Sequence, residues 1–186
     1  MINVTAEQLD RINAILSEIP GGAEKALTGV IKRATSTVRS ETTRQISNVY
    51  AITQKDIRAE TNIHMYTRTS GGNVVGEITF SGYKIPLYRF NATPKDVIRG
   101  ATVKAAQFRS EQPKVFEHAF IARMKTGHTG IFERETSKRF PITEHMGSAT
   151  AQMARNSVVL EEVEAKTTAV IEKRIEHEIT RILNAY

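Results

Sequence analysis

The chain has 186 residues, 40% hydrophobic and 25% charged, an ordinary globular composition that argues against intrinsic disorder. It contains no cysteine, which excludes a disulfide scaffold, thiol catalysis and cysteine-ligated zinc, and no apolar run approaches the roughly 20 residues that cross a bilayer. Lys and Arg number 26 against 20 Asp and Glu, and the excess is concentrated: residues 61–142 carry 13 basic and 6 acidic side chains (+7), against +1 for residues 1–60 and −2 for residues 143–186. The N-terminus, Met1-Ile2-Asn3-Val4-Thr5, has no basic stretch followed by an apolar core, so no signal peptide and a soluble intracellular product are expected.

Thr5 with Gln8 three residues later is a capping box, and Leu9, Ile12, Leu16 and Ile19 follow at helical spacing. Pro20-Gly21-Gly22 ends that helix. A second helical pattern runs from about Ala23 through Leu27, Val30, Ile31, Ala34, Val38, Ile46 and Val49, some 40 Å in all. Its Thr- and Ser-rich centre, Thr35 to Thr43, predicts a kink or break. Thr53 with Asp56 opens a short third helix ending near Glu60.

The middle of the chain is different in kind, holding four of the five prolines. Thr61-Ile63-Met65, the turn residues Ser70-Gly71-Gly72-Asn73, and Val74 to Phe80 read as a hairpin. Further strands are predicted at Lys84–Phe90 (an edge strand, because of Pro86), Ala101–Phe108, Ala119–Met124, Ile131–Arg134 and Phe140–Ile142. Short consecutive strands with tight loops imply antiparallel pairing. After Met146-Gly147-Ser148 a short helix, Ala149–Ala154, precedes a long C-terminal helix from about Val158 with the stripe Val159, Val163, Val170, Ile175, Ile179 and Ile182. The fold class is α+β: a small antiparallel sheet of about four to six strands, packed with N-terminal helices and a long C-terminal helix. Either the long helices pair with each other, or part of their apolar surface meets another subunit.

Catalytic templates are missing: there is no Gly-x-Ser-x-Gly elbow, Gly-x-Gly-x-x-Gly fingerprint or Walker-type loop. Gly21-Gly22 is an interhelical turn or a phosphate cradle, the turn being the commoner case. The five histidines show no HExxH pairing, and only three Asp are present, so no metal site, no cofactor and no enzyme are expected. His128, in a turn between glycines, is the best placed of the five, with a surface loop histidine as the alternative. Arg123, Lys125, Arg134, Lys138 and Arg139 are expected to line one end of a sheet, able to touch phosphates without reading sequence, unless they are scattered cations in solvent. Tyr83, Tyr88 and Phe90 interleave with Lys84 and Arg89, which suits base stacking or simply a strand with one face in the core. A non-specific DNA-binding module is therefore one function class in view, and a hydrolase using His128 another.

The runs Gly100–Val103, Phe120-Ile121-Ala122-Arg123-Met124-Lys125, Gly127-His128-Thr129-Gly130-Ile131-Phe132-Glu133-Arg134 and Arg139-Phe140-Pro141-Ile142, with Gly147, together resemble the minor tail protein Z family of lambda-like tailed phages and prophages. Tyr50-x-x-Thr53 and Gly82-x-x-Ile85-Pro86-Leu87 fit the same pattern. The likeness covers most of residues 25–186 and is specific at 100–147. It implies one tail-completion-type domain over residues 1–186, divided into helical (1–60), sheet (61–142) and C-terminal helical (143–186) parts. It further implies a non-enzymatic virion protein of the neck, at the head-proximal end of the tail, that completes the tail and joins it to the filled head after assembly in the host cytoplasm. The implied partners are further copies in a homo-oligomeric, hexameric ring, the tail terminator and head–tail connector proteins, and genomic DNA through non-specific contact, with no membrane. On this reading the sheet with its Lys125–Gly130 loop makes inter-subunit contacts or lines a DNA channel, and Ile175, Ile179, Ile182 and Leu183 serve as an assembly helix.

Overall fold

In the computed structural model the described residues are 4–70 and 73–185, so the Gly71-Gly72 turn of the expected hairpin lies outside them. Thr5 caps α1 (Ala6–Leu16) reciprocally: the Gln8 amide donates to the Thr5 hydroxyl at 3.3 Å, and the Thr5 amide to the Gln8 side chain at 3.0 Å. Gly21, at φ +68°, turns the chain into α2 (Gly22–Val49). α2 is continuous, so of the expected kink or break the break does not occur. The hydroxyls of Thr35, Thr37 and Ser40 bond back to the carbonyls of Ile31 (2.7 Å), Arg33 (3.0 Å) and Ser36 (3.2 Å), so they consume their polarity on their own helix. Thr53 caps α3 (Gln54–Ala59), accepting from the Asp56 amide at 3.1 Å.

Strands follow as the composition predicts, though in three small sheets among the described residues and not one. The hairpin β1 (Asn62–Ser70) and β2 (Asn73–Ser81) forms the first. β3 (Val103–Ala105) pairs antiparallel with β4 (Lys114–Phe116), and β5 (Ala119–Arg123), β6 (Thr129–Arg134) and β7 (Ile142–Glu144) form an antiparallel meander. The edge strand expected at Lys84–Phe90 is instead a single bridge at Pro86 and a 3-10 turn, Leu87–Arg89. Pro86 has no amide to donate; the Leu87 amide donates to the His145 carbonyl and the Ile85 carbonyl accepts from the Gly147 amide, tying this segment to residues 145–147 instead. α4 (Thr150–Ala154) and α5 (Ser157–Leu183) complete an α+β fold.

The chain divides into two compact units. One comprises residues 1–42, 63–79 and 160–186, and its core joins Ile12 and Leu16 of α1 and Ala26, Leu27, Val30 and Ala34 of α2 to Ile171, Ile175, Ile179 and Ile182 of α5. The long helices thus pair with each other. Ile171, in place of the expected Val170, faces the core. Glu178 is buried in the same stripe, where Arg174 (2.6 Å) and Arg181 (2.7 Å) hold its carboxylate over Gly29 of α2.

The second unit comprises residues 43–62 and 80–159, and buries Ile46, Ile52, Ile57, Ile85, Phe90, Val103, Ile131 and Met153. The buried hydroxyls of Thr61 and Thr150 share a hydrogen bond of 2.5 Å. Gly147 lies directly on the fully buried Phe90 ring, with no room for a side-chain carbon between them. Gly147→Ala is expected to cost about 1–3 kcal/mol through overpacking, measured as a lower denaturation midpoint. An unchanged midpoint would mean that Phe90 gives way freely.

Candidate functional site

The six residues singled out from sequence all lie on or beside the β5–β6–β7 meander. Its first turn needs glycine: Gly127 adopts φ +87°, its amide bonds the Met124 carbonyl at 2.9 Å, and the Met124 amide bonds the His128 carbonyl at 2.7 Å. Gly130 has a different reason to be glycine, because the Glu144 carboxylate covers the place a side chain would occupy.

Strand alternation sorts the side chains. Cα pairing sets Phe120 opposite Phe132, Ala122 opposite Gly130, and Phe132 opposite Glu144, which puts these residues with Arg134 on one face. There the Nε2 of His128 donates to Glu144 at 2.7 Å and its ring meets the edge of Phe132 at 6.3 Å. The Arg134 guanidinium lies 5.0 Å over the Phe120 ring and donates to the Arg139 carbonyl at 2.5 Å. The other face carries Ala119, Ile121 and Ile131, all buried, and a second histidine–carboxylate pair, His145 Nε2 to Glu133 at 2.9 Å.

The cations do not share one end of the sheet, contrary to expectation. Arg123, Lys125 and His128 stand at the β5–β6 turn; Arg134, Lys138 and Arg139 stand at the opposite, β6–β7 end. The six residues of β6 separate the two groups by about 17 Å. Beside the second group stands Phe140, which is 62% exposed with Arg139 5.5 Å over its ring. Of the helix candidates, Ile175, Ile179 and Ile182 are buried within their own chain, and Leu183 is exposed. The acidic partners Glu133 and Glu144 and the Phe120–Phe132 pair were not singled out from sequence; strand register alone brings them together.

A cleft of about 520 Å³ lies elsewhere in the second unit, lined by Thr53, Asp56, Arg89, Lys95, Arg109 and Glu111 among others. Its arginines are engaged by the chain itself. Arg89 pairs with Asp56 (2.9 Å) and Glu60 (3.3 Å), and Arg109 donates to the Ser47 carbonyl at 2.6 Å. None of the six sequence candidates lines it. Among the described residues no group of three or more His, Cys, Asp or Glu is placed to hold a metal, and no helix is long and apolar enough to cross a membrane.

No curated protein and no solved structure matches the chain. A sequence model of the prophage minor tail protein Z family matches residues 6–186, nearly the whole length, and the chain belongs to that family.

Within the meander, Phe132→Ala is expected to cost about 3–5 kcal/mol, because it empties a position only 5% exposed. Arg134→Ala, which removes a surface cation over a ring, is expected to cost at most about 1 kcal/mol. Thermal or denaturant unfolding separates the two, and a larger loss for Arg134 would make it part of the core's support.

Proposed function

We propose that this member of the prophage minor tail protein Z family is a structural component of the virion, placed at the head-proximal end of the tail, where it completes the tail and joins it to the filled head. It acts by fitting against other protein surfaces and makes or breaks no bond. The observation that carries this reading is the family match across residues 6–186. Further copies in a ring, the tail terminator and the connector are its partners, and heterologous contacts between copies close the ring by rotation. Two sets of exposed cations at opposite ends of the meander support docking on two different neighbours, one at each end.

Deleting the gene from a prophage is expected to leave filled heads and tails that fail to join, with joining restored by the gene supplied in trans. Joined, infectious particles at the parental titre without it would overturn the reading. Lys125→Glu and Arg139→Glu reverse one cation at each end of the meander. Each is expected to lower the yield of joined particles about tenfold, the equivalent of about 1.4 kcal/mol at one contact. Full yield from both would remove these ends from the assembly.

A second reading has an observation of its own. Residues 43–62 and 80–159 hold 16 basic and 8 acidic side chains, a positive field suited to DNA that runs through a tail. If this unit touches the genome, affinity of the purified protein for duplex DNA of arbitrary sequence falls steeply with salt, by a slope of about −0.9 per phosphate contacted. Affinity that is absent at low salt would discard it.

A further inference from the structure

The β1–β2 hairpin has two open edges among the described residues. Each strand is nine residues long, about 30 Å, and the sheet they form has two strands only. Such a pair is marginal alone, and here α2 supports one face: Gly76 lies directly against Thr35 and Ile31, and Val74 packs on the helical core. On the alternate positions Tyr66 and Val75 are 43% and 55% exposed. Sheets that end in solvent protect their edges with proline, charged side chains (lysine above all), bulges or very short strands, and here each strand has a single Arg or Glu. Neither strand contains a proline or a lysine, and both are rich in β-branched and aromatic residues. Edges of this kind accept a further strand.

The two edges also complement each other. β1 carries His64 and Arg68 and no acid, whereas β2 carries Glu77 and no base. The Tyr66 hydroxyl donates to Glu77, which holds its pKa above the ordinary value, and Arg68 lies 5.7 Å over the Tyr66 ring. Pairing β1 with β1, or β2 with β2, would set like charges side by side, at a cost. Pairing β2 with β1 sets Glu77 near Arg68, keeps the antiparallel order, and repeats from copy to copy.

We propose that the β2 edge of one copy pairs with the β1 edge of a second copy, so that hairpins of neighbouring copies form one sheet continuous across subunits. This rests on the ring reading above and names the contact that builds the ring. The test is solution mass across a dilution series for the full chain, for Arg68→Glu, for Glu77→Arg, and for an equimolar mixture of the two variants.

The parent chain is expected to assemble. Each single variant is expected to need about tenfold higher concentration, since its own edges now carry like charge. The mixture is expected to assemble like the parent, because alternating copies put unlike charges at every junction. At one junction the acid introduced at position 68 meets the base introduced at position 77, and at the next the unaltered Arg68 meets the unaltered Glu77. That rescue also shows that both variants are folded, and an effect confined within one chain would not produce it. A parent that stays monomeric at every concentration overturns the ring reading and this contact together. A parent that assembles while both variants assemble equally well, or weakened variants whose mixture gains nothing, overturns the hairpin contact alone.

Discussion

Burial of the Ile171, Ile175, Ile179 and Ile182 stripe of α5 against α1 and α2 decides which surfaces the chain keeps for other molecules. Each such side chain contributes about 1.5–3 kcal/mol when removed from water, so this half of the helix is occupied within its own chain. Glu178 reinforces the point. A buried carboxylate is tolerable only when paired, and Arg174 and Arg181 from its own helix supply the pairing while Gly29 gives it room. The unit can therefore form its core without a partner. On the function proposed, attachment to neighbours would fall to strand edges and loop tips, where backbone groups and cations are still exposed.

The charge follows the two units more closely than it follows thirds of the sequence. Residues 1–42, 63–79 and 160–186 carry 10 basic and 12 acidic side chains, whereas residues 43–62 and 80–159 carry 16 and 8. A −2 unit and a +8 unit on one chain favour neighbours that meet through unlike units and oppose contacts between like ones. The effect is a bias on orientation more than a source of affinity, because charges in solvent are screened beyond about 8–10 Å. The hairpin itself lies in the −2 unit, so pairing between hairpins of two copies would draw on the opposite charges of its two strands and not on this bias.

Much of this was legible because it is local. A Thr–x–x–Gln cap, period-two alternation around Ile63 and Val74, and the glycines at 127 and 130 announce α1, the hairpin and the meander without reference to the rest of the chain. Other features depend on distant partners. The break expected in α2 assumed that Thr35, Thr37 and Ser40 oppose the helix, yet their hydroxyls bond the preceding turn. The Lys84–Phe90 segment had strand composition, but Pro86 leaves it only a bridge and a turn. β4 escaped notice because three residues, two of them exposed, carry no periodic signal. The five candidate cations lie on the expected sheet but not at one end of it, because only register reveals that β6 separates Arg123 and Lys125 from Arg134, Lys138 and Arg139.

Register also bears on the docking proposed for the two ends of the meander. A loop that must be ordered on binding gives up affinity to conformational entropy, about 0.5–1.5 kcal/mol for each long side chain fixed. Here much of that ordering is complete beforehand. On one face His128 is held by Glu144 and Phe132, and Arg134 by the Phe120 ring and the Arg139 carbonyl. On the other face His145 and Glu133 secure β7 to β6. Lys125, Lys138 and Arg139 therefore project from turns whose bases are already fixed, and Phe140 stands exposed beside Arg139. An exposed ring with a cation over it gains most against an apolar patch edged by carboxylate, where desolvation of the ring supplies affinity and the charge selects the orientation.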